Sequence, residues 1–186
     1  MNNPDDRFLT EEEQAFLLKL ARQAIEHYLK TGEKIKVKVE NPRLQQKQGA
    51  FVTLHVNGEL RGCIGYPLPY KPLLETIIEV AIAAATEDYR FPPLSLEELD
   101  DLKIEISVLS LPRKVERPEE VVVGRHGIII SKGYHQGLLL PQVPLEYGWD
   151  LETYLSHGCL KAGLPPDEWK RGVEIQVFEA QVFSED

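Results

Sequence analysis

The chain has 186 residues, 42% apolar and 27% charged, which excludes a disordered or fibrous protein and suits one domain or two closely joined halves. Its 21 basic and 30 acidic residues give a net charge of −9, unfavourable for an extended, nonspecific hold on nucleic acid. Two cysteines do not make a disulfide scaffold, and no apolar run nears the ~20 residues of a membrane helix.

Met1 to Asp6 is polar and acidic, unlike a signal peptide, and residues 1–9 read as a flexible lead. The expected setting is therefore cytoplasmic, with reduced thiols. Thr10-Glu11-Glu12-Glu13 has the spacing of a capping box, followed by Phe16, Leu17, Leu20, Ala24, Ile25 and Tyr28 at helical intervals, with Gly32 as the stop. Lys34, Lys36 and Lys38 alternate with Ile35, Val37 and Val39 and predict a strand. Its lysines either guard a sheet edge or form a local polyanion site. Ala50 to Val56 and Glu59 to Gly65 flank Asn57-Gly58, a strong hairpin signal. Leu73 to Thr86 is a helix apolar almost all round, so it must be covered on several sides. A short acidic helix near Ser95 to Asp100 and an alternating strand, Lys103 to Leu109, close the first half of the α+β pattern.

Pro112 to Pro118 reads as a charged linker. Beyond it the order repeats: a hairpin (Gly127 to Ser131, Gln136 to Leu140), a helix from Leu151 to Ala162 capped by Asp150, a short segment at Pro166 to Lys170, and a strand from Glu174 to Phe183. Either these are two related hairpin–helix–helix–strand halves, about residues 10–111 and 119–186, or the likeness is a chance similarity of generic elements.

The chemistry-bearing segment is Leu60-Arg61-Gly62-Cys63-Ile64-Gly65. A simple two-residue hairpin sets Leu54 opposite Arg61 and Val52 opposite Cys63. Arg61 and Cys63 then share one face, with Leu60 and Ile64 on the other. A guanidinium beside a thiol favours the thiolate and makes a nucleophile. The two glycines mark a bend, a bulge or close approach by another group. The competing reading is that Cys63 simply packs, as free cysteines often do. Arg90 either binds an anionic group bidentately or clamps to Glu87 or Asp88. His126 either serves Cys63 as base or bonds its own turn. His157-Gly158-Cys159 supplies at most two metal ligands, so no metal is expected, and no nucleotide-cofactor motif occurs.

The Cys63 hexapeptide resembles the signature of the AMMECR family. The likeness continues at Asp88-Tyr89-Arg90-Phe91-Pro92-Pro93-Leu94, where Tyr89 replaces a common proline, and at His126-Gly127-Ile128. It resumes at Leu138 to Pro144, Gly148-Trp149-Asp150 and Cys159 to Leu164, spanning about residues 10 to 183. The resemblance implies an α+β fold with a strongly curved, mostly antiparallel, barrel-like sheet, flanking helices, and a cleft floored by the cysteine motif. It implies no settled reaction and no cofactor. Members are found alone or associated with Memo-type and radical S-adenosylmethionine proteins, and have drawn proposals of nucleobase-directed chemistry. Carried over, the site is Arg61, Gly62, Cys63 and Gly65, with Arg90 and His126 contributing. The expected function is a small enzyme acting through Cys63 and Arg61 on an anionic or nucleobase-type substrate. The alternative is a noncatalytic adaptor for a protein or nucleic-acid partner.

Overall fold

In the computed structural model, which describes residues 8–186, the chain forms two compact units. One comprises the residues up to Leu109 together with Gln181–Asp186, and the other Ser110–Ala180. The class is α+β. The sheets are two separate four-stranded ones, neither closed into a barrel, which corrects the barrel-like expectation.

The first unit begins with α1 (Glu11–Thr31). The expected capping box is present: Glu13 N–H donates to Thr10 Oγ1 (3.2 Å), and Thr10 N–H to the Glu13 carboxylate (2.9 Å). Gly32 ends the helix at φ 76°, in the left-handed region that glycine adopts without strain. Leu9, placed by sequence in a flexible lead, is buried, and its N–H and C=O are clamped by the Gln181 amide. The lead's residues 1–7 lie outside the described residues.

Sheet one orders its strands β2-β1-β3-β8, from β1 (Ala50–Val56), β2 (Glu59–Tyr66), β3 (Leu102–Leu109) and β8 (Ala180–Ser184). Ala50, Val52 and Leu54 of β1 and Ile104 and Ile106 of β3 fill the core under α2 (Leu73–Thr86), whose other side meets α1. Such coverage is what a helix with so few polar residues requires. Each fully buried side chain of the type of Leu73 or Ile77 contributes about 1.5–3 kcal/mol.

The lysine segment departs from expectation. Ile35, Val37 and Val39 pack against the core and the lysines are exposed, yet the segment joins no sheet among the described residues.

The second unit carries β4 (Arg113–Val115), β5 (Gly127–Lys132), β6 (His135–Leu139), α3 (Val143–Tyr147), α4 (Leu151–Lys161) and β7 (Glu174–Phe178), in the sheet order β4-β7-β5-β6. The linker thus supplies an edge strand. The single final strand read from sequence is two, because the chain leaves the second sheet after Phe178 and enters the first at Ala180. Asp150 caps α4 through Thr153 N–H (2.8 Å), as expected. No helix among the described residues is long and apolar enough to cross a membrane.

Candidate active site around Cys63

Asn57 (φ 53°) and Gly58 (φ 81°) form the turn between β1 and β2, and Val56 pairs with Glu59 as a two-residue hairpin demands. The ladder then slips. Leu60 pairs with His55 and Gly62 with Leu54, leaving Arg61 as the extra residue of a β-bulge. Cys63 consequently faces Thr53, not Val52, and Ile64 faces Val52. Because one residue of register exchanges the faces of a strand, the bulge moves Cys63 out of the row shared with buried Val52 and Leu54. It lies on the sheet face away from α2, half-buried, with Sγ 3.1 Å from Thr53 Oγ1.

The bulge also turns Gly62 toward α2. A Cβ there would sit 2.1 Å from the Ala84 carbonyl oxygen, and one at Gly65 would sit 2.4 Å from the Phe51 ring. Both glycines therefore answer to close approach by neighbours, one of the alternatives read from sequence.

Arg61 is engaged through four of its five N–H donors. Its Nε and Nη2 donate to the two Glu98 oxygens (2.9 and 3.1 Å), Nη1 to the Pro92 carbonyl (2.7 Å) and Nη2 to the Pro93 carbonyl (3.3 Å). Glu98 also accepts from Ser95 N–H (2.9 Å), capping the 3₁₀ helix Leu96–Asp101. The Arg61 guanidinium, ahead of Ser95 N–H, holds the Glu98 carboxyl below its ordinary range. Arg61 thus pins the Pro92-Pro93 segment to the hairpin.

The cation linked to the Cys63 backbone, through Asp88, is Arg90. Asp88, 5% exposed, accepts from Cys63 N–H (2.9 Å), Arg90 N–H (3.1 Å), Arg90 Nε (3.0 Å) and Arg90 Nη2 (2.7 Å). The Arg90 side chain is the largest cause holding the Asp88 carboxyl far below the usual carboxylate range; the Cys63 and Arg90 amides add to it. Hydrogen bonding to the charged form has this sign. The Arg90 guanidinium is raised in turn, first by its hydrogen bonds to Asp88, with burial opposing. Its side chain is 45% exposed and lies over the Phe91 ring at 5.4 Å. Nη1 makes no hydrogen bond among the described residues, leaving one edge of the guanidinium for an incoming anion. The arginine is therefore both clamp and open donor. Asp88, Thr53 and Glu98 were not assigned to the site from sequence, although Asp88 was one offered clamp for Arg90. The Ser-x-x-Glu spacing of Ser95 and Glu98 was a signal for the third.

His126 belongs to the second unit. Its Nδ1 accepts from Val122 N–H (2.9 Å), its carbonyl from the Tyr154 hydroxyl (2.9 Å), and Nε2 lies 4.0 Å from Glu179. Burial pushes the imidazole below its ordinary value, Arg113 and Arg125 add to that, and Glu179 opposes them. The ring is engaged with its own turn. His157 stacks on Trp149 (centroids 3.8 Å apart), and Cys159 is buried, its thiol pushed up chiefly by that burial. Among the described residues no group of three His, Cys, Asp or Glu side chains is placed to hold a metal ion.

The AMMECR1 family model matches residues 18–183. The chain belongs to the AMMECR1 family. Among AMMECR1 relatives, Protein MK0488 of Methanopyrus kandleri is 56% identical, the match covering 96% of this chain and 91% of that one. Protein MJ0810 of Methanocaldococcus jannaschii is 52% identical, with 96% and 93% covered. A crystal structure of the uncharacterized protein PH0010 from Pyrococcus horikoshii is similar, with a TM-score of 0.78, 48% identity, and 96% and 94% coverage. These AMMECR1 relatives carry generic names, which assign no reaction to the site.

Proposed function

We propose that this chain is a cytoplasmic protein that holds a small anionic substrate against Cys63, with the thiol as nucleophile and Arg90 as the anion contact. One observation carries the reading: a single buried carboxylate, Asp88, binds both the backbone of Cys63 and the side chain of Arg90, tying the cysteine's strand position to the cation. Arg61, with four of its five guanidinium N–H groups directed to Glu98 and two carbonyls, is a positioning residue in this reading. His126 is not called on.

The test compares alkylation of Cys63 by iodoacetate, which is anionic, with that by neutral iodoacetamide, both releasing iodide. A unit charge a few ångströms away in water-like surroundings is worth up to about 1 kcal/mol, so Arg90→Gln lowers the iodoacetate-to-iodoacetamide rate ratio about three- to fivefold. Buried Cys159 serves as the unreactive internal control. An unchanged ratio, or no reaction at Cys63 in the native protein, overturns the proposal.

The exposed Tyr89 ring (97%) beside Arg90 supports a second reading, a noncatalytic adaptor surface. Retention of partner binding and cellular phenotype by Cys63→Ser would favour it.

A further inference from the structure

Lys34–Glu40 has the alternating exposure of a strand and, among the described residues, none of its pairing. Among the described residues, no backbone amide or carbonyl from Lys34 to Glu40 bonds another backbone group; only the Val39 carbonyl is bonded, by the Gln45 side chain (3.0 Å). One set of side chains, Ile35, Val37 and Val39, is anchored on the core of the first unit. The other set is exposed: Lys34 lies 3.5 Å from Glu79, while Lys36 and Lys38 make no ion pair among the described residues. Such a segment is held straight by its apolar side and offers a free backbone edge, the requirement for strand addition.

The charges select what can pair there. Antiparallel self-pairing centred on Lys36 sets Lys36 against itself and Lys34 against Lys38, and centring on Lys38 sets Lys38 against itself, although Glu40 meets Lys36 there and meets Lys38 when pairing centres on Val39. Like charges directly opposite one another are destabilising, so the lysine-centred registers disfavour a second copy of the chain, and an all-acidic partner face meets the lysines better than Glu40 alone does. An incoming strand with acidic residues at every second position meets the same lysines as partners. A nucleic acid satisfies the lysines but cannot complete a backbone ladder. From these three facts we infer that Lys34–Glu40 is a docking edge for an extended acidic peptide of a partner protein, joined by strand addition.

The experiment uses the full chain and a blocked nine-residue peptide of alternating Glu and Val, followed by amide hydrogen exchange and anisotropy. The amides of residues 35–39 exchange freely in the protein alone and become protected with the peptide. Lys36→Glu/Lys38→Glu, both exposed changes, weakens binding about tenfold, as loss and reversal of two cross-strand charge pairs require. The same variant gains affinity for a Lys/Val peptide, which a merely unfolded variant would not. Protection already present in the free protein, absence of protection with the peptide, or unchanged binding by the variant overturns the inference. So does equal binding of a thymidine oligonucleotide without amide protection, which assigns the lysines to a polyanion surface instead.

Discussion

Asp88→Asn tests whether the site is held by charge. The wild-type carboxylate accepts four hydrogen bonds, two from backbone N–H groups and two from the Arg90 guanidinium. Asparagine keeps one accepting oxygen and turns an NH₂ toward the remaining donors, so at least one N–H of Cys63 or Arg90 faces another donor. Removing one partner of a fully buried pair costs about 3–5 kcal/mol, but Arg90 is 45% exposed and regains water. The expected loss is therefore nearer the value of charged hydrogen bonds, about 2–3 kcal/mol. At about 2–4 °C per kcal/mol for a chain of this size, that is a fall of about 4–12 °C in Tm. The pH dependence separates charge from packing. The folded Asp88 carboxyl titrates below its ordinary 3.8, so its contribution is complete above that value. It is lost as pH falls from about 4 through the depressed folded value. Urea denaturation of both proteins at pH 7 and at pH 3 should show the gap narrowing at the lower pH. An equal gap at both would refute the charge argument and leave shape as the cause.

Tyr154→Phe removes a buried hydroxyl that bonds the His126 carbonyl at 2.9 Å and lies 3.4 Å from those of Leu139 and Leu140. Denaturant melts should show a loss of about 1–2 kcal/mol, the cost of stranding a buried acceptor. Gly62→Ala drives a Cβ into α2 backbone at Ala84 O (2.1 Å), and Gly137→Ala drives one into the backbone just past α4 at Ala162 N (2.4 Å). Each should cost about 1–3 kcal/mol in denaturant melts despite the gain alanine otherwise brings to a strand. Only Gly62→Ala should also slow alkylation at Cys63.

Much of the fold was legible because it is written in local signals. Thr10 with Glu13, Asn57-Gly58, Asp150 and the apolar run of Leu73–Thr86 each specify a cap, a turn or a buried helix within a few residues. What failed depends on register and on distant partners. The bulge at Arg61 is invisible to a count from the turn, and one residue of slip exchanged the faces assigned to Cys63. The lysine segment alternates like a strand, but pairing needs a neighbour that the sequence does not disclose. Arg61 was read against its sequence neighbour Cys63, whereas its bonds run to Pro92, Pro93 and Glu98, more than 30 positions away.

The matching strand order of the two sheets separates what the scaffold needs from what it does not. β2-β1-β3 and β6-β5-β7 have the same order, with the first hairpin strand central in each sheet. Each second hairpin strand carries a glycine, Gly62 or Gly137, where the backbone at or just past the end of the following helix passes, at Ala84 or Ala162. The glycine in the cysteine motif is thus a packing requirement that recurs where no site is proposed. The charges do not recur. Arg61 and Cys63 flank Gly62, whereas Gln136 and Leu138 flank Gly137. The buried Asp88 and its Arg90 follow α2, whereas Gly163 and Leu164 follow Ala162 after α4. The second half folds the same hairpin, helix and strand without an ionised carboxylate at that corner. Burying Asp88 is therefore not imposed by the topology. In the first half that carboxylate holds the Cys63 amide and Arg90 together, and the proposed anion site rests on this arrangement.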